Sequence, residues 1–390
     1  MYLNKYEERM LRGEYGEAVR IAIEVIVHIG EALGAEKLID ISHAHISGIS
    51  YFNIGDEGLE FLNDLVSKGA KAAVYTTANP SSIAILDPFT NVYGRDIVVK
   101  QYKIIELLKS LGVDDKSFTC IPYKIRRPKI NEHLAWAESS AVIYANSILG
   151  AKTNREGGIV ALMASIIGKT YYSGMHIDEN RLPTEIIKID FPIGNIFEAS
   201  IIGLYIGNIT KGIPYIEMNM NVEDDVYRDI IIRNLLASIA STSDSPMAII
   251  EGITPKFDKI MIKGGLERIT IDLAEAKKFS ESICSNTLFI GCPHITVDEL
   301  RHISNRIFLK AKSLGIEKIF VALPQNSEDI ILIAEEFRKR GIEIVFLKGA
   351  CPVVSNLKEL NLHSLATLHG KAFHYIPKLG GIKTCLVNVV

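Results

Sequence analysis

The chain has 390 residues, 48% of them hydrophobic, and a formal net charge of −3, which describes a globular protein of two or three layered units rather than a disordered one. Its slightly acidic balance, with "KIRRPK" at 124–129 as the one basic cluster, excludes a protein that binds nucleic acid through a basic surface. The best apolar run, "GIVALMASIIG", falls short of the roughly 18 residues that span a bilayer, so a soluble protein is expected and no membrane partner. The five cysteines are an odd number without close spacing, and "MYLNKYEERMLRG" carries no secretory pattern; a cytoplasmic protein without a disulfide framework is expected. Gln stands only at 101 and 325 while Ile, Lys and Glu abound, a bias that fits work at high temperature.

In chain order, an N-terminal helical segment of about 30 residues precedes an alternation of apolar runs and helix-period stretches. "KLIDISHAH", "KAAVYTT" and "SFTCIPY" read as strands; "GLEFLNDLVSKG" and "VVKQYKIIELLKSLG" read as the helices between them. "AWAESSAVIYANSILGAKTNREGG" at 135–158 reads as a helix running into a glycine-rich turn. On a wheel of 100° per residue, Ser139, Ser140, Asn146, Ser147 and Gly150 share one face, and that face lacks the long charged side chains a solvated one would carry. The stretch 175–220, rich in Ile, Gly and Pro, resists parsing. The tail is cleaner: "NTLFIGC", "KIFVALP" and "EIVFLKGAC" alternate with two helical segments, which predicts a three-strand parallel unit with two crossover helices. Boundaries near 152 and 265 divide the chain into 1–152, holding Cys120, a middle unit 153–265, and 266–390, holding Cys292 and Cys351.

Three cysteines share a context. "TCIPY", "GCPH" and "ACPV" each put Cys at or just past the carboxyl end of a predicted strand, where parallel sheets bind their ligands. Thr296 to Glu299 form a capping-box pattern that starts a helix directly beyond Cys292. Three thiolates suit an iron–sulfur cluster with one iron left open as a Lewis acid. Cysteine is equally one of the most often buried residue types, and the residues alone leave both readings open. Cys284 reads as lying at a helix end and Cys385 in a tail strand, both structural.

Together with "AHISGIS" at 44–50, "GDEGLEFL" at 55–62, "TTANP" at 76–80, "HIDENR" at 176–181 and the 135–158 block, these motifs make the chain resemble the aconitase X family over nearly its whole length. The resemblance implies an α/β fold, the aconitase-like catalytic module of three α/β/α layered domains with mainly parallel sheets. It also implies a dehydratase whose iron–sulfur cluster, a [4Fe-4S] type with one labile iron, is held by Cys120, Cys292 and Cys351. A small swivelling subunit is expected as partner, carrying the serine base. Two activities go with the family, dehydration of 5-phosphomevalonate and of a hydroxyproline; separate subunits and the composition favour the phosphorylated hydroxy acid. Near the C-terminus, where the family shows a "TNSGK"-like segment, this chain has "TLHGKAFHY". Leu368 and His369 depart from it, and Lys371 remains available to an anion.

The expected substrate contacts are Ser47, Gly48 and Ser50 in a turn after a strand, Thr77, Asn79 and Pro80 after the next, and Ser139, Ser140, Asn146 and Ser147 on the serine face. Asn154 and Arg155 come from the turn that feeds the helix "IVALMASII", whose bare N–H groups favour an anion. His45, His176 and His294 stand beside these motifs as second-tier candidates, and the charges of "HIDENR" suit a structural ion-pair network. A non-catalytic binding or scaffold subunit is the competing class. A nucleotide enzyme ranks last, because no glycine-rich phosphate loop follows a strand.

Overall fold

A computed structural model describes residues 1–255, 257, 264–279 and 283–389. The N-terminal unit begins with α1 (Lys5–Leu11) and α2 (Glu17–Ala32). In α2 the residues Ala22, Ile23, Ile26 and Val27 fall on one face and are buried, the spacing that lets a helix cover a core. Then follow β1 (Leu38–Asp40), β2 (His43–Ile46), α3 (Tyr51–Ser67), β3 (Tyr75–Ala78), the short α4 (Thr90–Tyr93), α5 (Arg95–Leu111) and β4 (Ala135–Trp136). β2 lies between β3 and β4 in a parallel sheet. α6 (Ser139–Tyr144) runs on as a π-helical turn, Ala145–Leu149, and α7 (Gly158–Ile167) leads into β5 (Lys169–Tyr171), which pairs antiparallel with β1. Leu162, Met163, Ile166 and Ile167 of α7 join Ile23, Leu65, Ile104 and Leu108 in one core.

The second unit holds β6 (Glu185–Ile193), α8 (Ile196–Ile209), β7 (Pro214–Met220), α9 (Asp225–Thr242), β8 (Ile249–Ile250) and β9 (Glu267–Ile271), followed by α10 (Leu273–Ala276). Its parallel sheet runs β8-β7-β6-β9. α8 and α9 approach closely because a Cβ at Gly203 or Gly207 would stand 2.5 or 2.6 Å from the Leu235 or Ile239 carbonyl. The third unit comprises β10 (Thr287–Ile290), α11 (Val297–Ala311), β11 (Lys318–Leu323), α12 (Ile331–Lys339), β12 (Glu343–Lys348), β13 (Ser364–Thr367), α13 (Gly370–Tyr375) and β14 (Lys383–Leu386). Its sheet, β12-β11-β10-β13-β14, is parallel throughout. The capping box of Thr296 and Glu299 starts α11. Glu299 then takes Arg233 of α9 at 2.7 Å and Lys124 at 3.0 Å, an ionic joint between units.

The structure departs from the sequence reading in four places. "SFTCIPY" is not a strand: only Phe118 bridges to Ala78, and the chain turns through Pro122–Lys124, since Pro122 cannot donate to a ladder. Ala135 and Trp136 form a strand instead of opening a helix, and α6 begins only after Glu138 caps it. The three-strand tail unit gains β13, through which the tail strand expected at Cys385 joins the same sheet as β14. Finally, Cys284 lies in irregular chain and is joined to Cys385 of β14 in a disulfide. A pair 101 residues apart leaves no spacing signal; residues 280–282, just before it, lie outside the described residues.

Candidate functional site

Strand ends from two sheets face one cavity of about 520 Å³. From the first unit come the segments beyond β2 (Ser47, Gly48, Ser50), β3 (Asn79, Pro80) and β4 (Ala137, Glu138, Ser139), with Cys120; from the third come Gly291 and Cys292 beyond β10 and Cys351 beyond β12. All but Cys120, which stands two residues past the Phe118 bridge, lie at carboxyl ends of strands, where parallel sheets leave a crevice. The two units are stitched beside the cavity by Ser81 N–H to Gly349 O at 2.9 Å and Cys351 N–H to Ser81 O at 3.0 Å.

The three free cysteines, all buried, line this cavity together. Burial pushes the Cys120 thiol up to about 11 and Cys351 to about 12, and raises Cys292 well above its ordinary range, while the Lys371 charge pulls each of them down. Without a metal they are therefore neutral thiols at physiological pH. Cys120 Sγ accepts the His294 N–H at 3.1 Å. Gly291 sets up Cys292: its φ is +106° and a Cβ there would lie 2.4 Å from the Ala322 carbonyl, so only glycine suits the position. His369 holds the same peptide, accepting the Gly291 N–H on Nε2 at 3.0 Å and donating from Nδ1 to Asn234 at 2.6 Å.

At the floor of the cavity Lys371, at the start of α13, is ion-paired with Glu138, and both are buried. Glu138 also accepts Asn79 Nδ2–H at 2.7 Å, the Ser140 N–H at 3.1 Å and the Ser140 hydroxyl at 3.0 Å. Burial alone would raise its pKa; the Lys371 charge and these donors outweigh burial and bring it down to about 2. Burial likewise opposes the Lys371 charge, and the Glu138 carboxylate more than restores it, so the ammonium's pKa is raised.

A second polar region surrounds the start of α7. Gly157 caps the helix without a side-chain bond, leaving N–H groups and the positive end of the dipole toward the cavity. The Ser47–Gly48 turn lies directly on it, since a Cβ at Gly158 would stand 2.4 Å from the Ser47 carbonyl. Arg155 lines the cavity and donates to Ser243 O at 2.9 Å. Glu156 lines it too, with burial lifting its carboxyl to about 7 against the lowering effect of Tyr171 and Asn154.

The structure thus gathers Ser47, Gly48, Ser50, Asn79, Pro80, Ser139, Arg155, Lys371 and the three cysteines. Other expected contacts lie elsewhere. Thr77 is buried between His43 and His45, at 2.9 and 2.7 Å. Asn146 is spent on Thr153, Pro246 and Arg181, and Ser147 on the Ala248 N–H. Both stand on the π turn that follows α6, beyond the Ser139 end of the helix that reaches the cavity. Asn154 accepts the Met175 N–H at 2.8 Å and braces the 173–175 turn. Ser140 stands behind the cavity wall, hydrogen-bonded to Lys371 at 3.0 Å. Among the second-tier histidines, His176 pairs with His133 at 3.0 Å and His294 with Thr119 at 3.1 Å. In "HIDENR", Asp178 pairs with Lys152 and Arg181 donates to the Met175, Asn146 and Ala151 carbonyls. Leu368 and His369 are buried and do not line the cavity. Sequence reasoning missed Glu138, Glu156 and Asp244; Glu138 alone carried a signal, as a carboxylate at the edge of an otherwise uncharged face.

Two α/β units that turn their strand ends onto one thiol-lined cavity, with a buried carboxylate–ammonium pair at its floor, define a three-unit ligand-binding protein of the parallel-sheet class. The chain belongs to the aconitase X family: residues 1–179, 183–281 and 285–389 match the aconitase X first, second and third domains. It is 36% identical to the phosphomevalonate dehydratase large subunit of Thermococcus kodakarensis, over 97% of this chain and 96% of that one. It is 38% identical to the protein of that name from Methanocaldococcus jannaschii, over 97% and 95%. A cis-3-hydroxy-L-proline dehydratase of Pseudomonas aeruginosa is 27% identical, over 97% of this chain but 67% of its own length. The crystal structure of Thermococcus kodakaraensis aconitase X in its holo form superposes with a TM-score of 0.87 at 35% identity, covering 100% of this chain and 98% of that one.

Proposed function

We propose that the chain is the large subunit of a hydro-lyase that removes water from (R)-5-phosphomevalonate to give trans-anhydromevalonate 5-phosphate, a step of the archaeal mevalonate route. The observation that carries this reading is the convergence of Cys120, Cys292 and Cys351, from three separate segments, on the cavity that also holds Lys371 and the start of α7. End-to-end similarity to proteins named phosphomevalonate dehydratase large subunits supports the substrate, and that name supports a small subunit as partner.

The donor set fits an iron–sulfur cluster. All three candidate ligands are sulfur, the ligand type such clusters take. The three thiols line one cavity, and we assign the group they would hold as a [4Fe-4S] cluster. Bound there, it supplies a Lewis-acidic iron toward the departing hydroxyl.

The remaining work falls to the protein. The substrate carries a carboxylate and a phosphate, and the cavity offers an ammonium at Lys371 together with a guanidinium and a helix start around Arg155 and Gly157. The proton to be lost is beside the carboxylate and weakly acidic, so fixed positive charge near that carboxylate lowers the barrier. Glu138 is an acceptor only, held ionised by Lys371, and suits a substrate hydroxyl as donor. The proton acceptor is assigned to the small subunit, as a serine.

The test is to reconstitute the chain anaerobically with iron, sulfide and its small partner, then offer 5-phosphomevalonate and cis-3-hydroxy-L-proline separately. Turnover of the phosphorylated acid is expected. Turnover of the amino acid alone would overturn the substrate, and turnover of neither by an iron-loaded complex would overturn the dehydratase reading.

A further inference from the structure

A line of side chains, His43, Thr77 and His45 buried behind the cavity wall and Asn79 in the wall itself, runs from β2 to Glu138. Its contacts are His43 Nε2 to Thr77 Oγ1 at 2.9 Å, Thr77 Oγ1 to His45 Nδ1 at 2.7 Å, His45 Nε2 to Asn79 Oδ1 at 2.8 Å, and Asn79 Nδ2 to Glu138 Oε2 at 2.7 Å. The strand register makes the line possible, because His45 pairs with Thr77 and His43 with Tyr75 across β2 and β3.

The direction of every bond follows from its far end. Glu138 is a carboxylate, which only accepts, so the Asn79 amide must turn its NH₂ edge to it. That leaves Oδ1 for His45, whose Nε2 must then carry the proton. His45 is fully buried and its pKa is brought down by burial to about 4, so the ring is neutral and Nδ1 is an acceptor. Thr77 accordingly donates its hydroxyl hydrogen to His45 and accepts from His43 Nε2–H. The line ends at His43 Nδ1, which has no partner, as a neutral ring's lone pair can. Both rings are wedged against Trp136, with centroids 5.3 Å away for His43 and 6.2 Å for His45.

We propose that Thr77 and His45, neither of which lines the cavity, are positioning residues that fix the Asn79 amide in one orientation and thereby hold the Glu138 carboxylate in place on Lys371. An amide is nearly symmetric in shape, so packing alone does not choose between its two orientations. With Asn79 flipped, its carbonyl oxygen would face the Glu138 carboxylate, two acceptors in contact. The buried imidazole, donating from Nε2 to Oδ1 while its Nδ1 accepts the Thr77 hydroxyl, backs the orientation that the Glu138 carboxylate selects and penalises the flipped one. The proposal rests on the dehydratase reading only for its effect on turnover; the tautomer is a property of the chain itself.

Two measurements test it. In the iron-loaded two-subunit complex, Thr77→Val deletes the hydroxyl at nearly constant shape and is expected to lower kcat/KM for 5-phosphomevalonate about tenfold, the effect of one lost buried hydrogen bond. Iron content should stay unchanged, and Thr77→Ser should restore activity to within about threefold of the parent. In the iron-free full chain, ¹⁵N-histidine NMR should show His45 protonated on Nε2 alone, and a mixture of tautomers in Thr77→Val. His45 protonated on Nδ1 in the parent chain would overturn the proposal even if the variant fails to fold. A Thr77→Val enzyme with parental kcat/KM and a single Nε2–H tautomer would overturn it as well. If the parent complex turns over neither substrate, the functional reading falls while the His45 tautomer still decides the relay.

Discussion

Lys371 and Glu138 form an ion pair across 233 residues of sequence, joining the start of α13 in the third unit to the cap of α6 in the first, with both groups buried. The pair therefore closes the interface between the units and forms the floor of the cavity at once. Removing one member of a buried pair strands the other charge in low dielectric, at a cost of about 3–5 kcal/mol. Lys371→Met is expected to destabilise by about that much, and Glu138→Gln/Lys371→Met by clearly less than the sum of the single changes. Urea unfolding of the three variants checks this; additive losses would show that the two side chains do not depend on each other.

Glu156 makes stability fall on the alkaline side. Its folded pKa, lifted by burial to about 7 from 4.5, means that its contribution is fully present below pH 4.5 and is lost as pH rises through 7, by about 3 kcal/mol. Glu156→Gln stays neutral and still accepts the Tyr171 hydroxyl, so it should gain up to about 3 kcal/mol over the parent at pH 8 and nothing at pH 4. Urea midpoints at the two pH values measure it. Parallel curves at both would contradict the assignment.

On the acid side the buried histidines lower stability. His45 is brought down by burial to about 4, and His176, His294 and His369 to about 3. Their folded pKa values lie below the unfolded ones, so the stability they confer is present above about pH 6.5 and is lost as pH falls toward 3. Replacing His369 with Gln, which cannot charge, should flatten the fall in stability between pH 6 and 4 relative to the parent, whatever it costs at neutral pH. An unchanged slope would contradict a buried neutral imidazole.

The Cys284–Cys385 disulfide closes a span of 101 residues across the third unit; in the chain-entropy model such a link is worth about 4–5 kcal/mol. Thiol titration of the iron-free chain, denatured without reductant, should find Cys120, Cys292 and Cys351 free and the other two protected until reduction. All five reacting at once would show that the bond does not form.

The parallel α/β fold was legible in the sequence because its strands are short apolar runs punctuated by amphipathic helices, and Cys292 and Cys351 because each follows such a strand; Cys120 shared their Cys–Pro context though its segment forms no strand. Thr77 was misplaced because it stands within β3, where its side chain meets the neighbouring strand's histidines, while Asn79 and Pro80 lie past the strand end and reach the cavity. Asn146 and Ser147 were misplaced because a helical wheel shows the face but not the partners: tertiary contacts to Thr153, Pro246, Arg181 and Ala248 take up both side chains. Glu138 stood out in the sequence only as a carboxylate at the edge of an uncharged face; only the tertiary fold brings Lys371 to it. Glu156 and Asp244 carried no local pattern at all, and the disulfide had no spacing to reveal it.

The central claim, that three cysteines from separate segments hold one iron–sulfur cluster in this cavity, is tested most directly by counting iron and acid-labile sulfide per chain after anaerobic reconstitution. About four of each are expected for a [4Fe-4S] cluster in the parent and in Cys385→Ala, and none retained in Cys351→Ala. An iron-free parent chain, or equal iron in Cys351→Ala and Cys385→Ala, would contradict it.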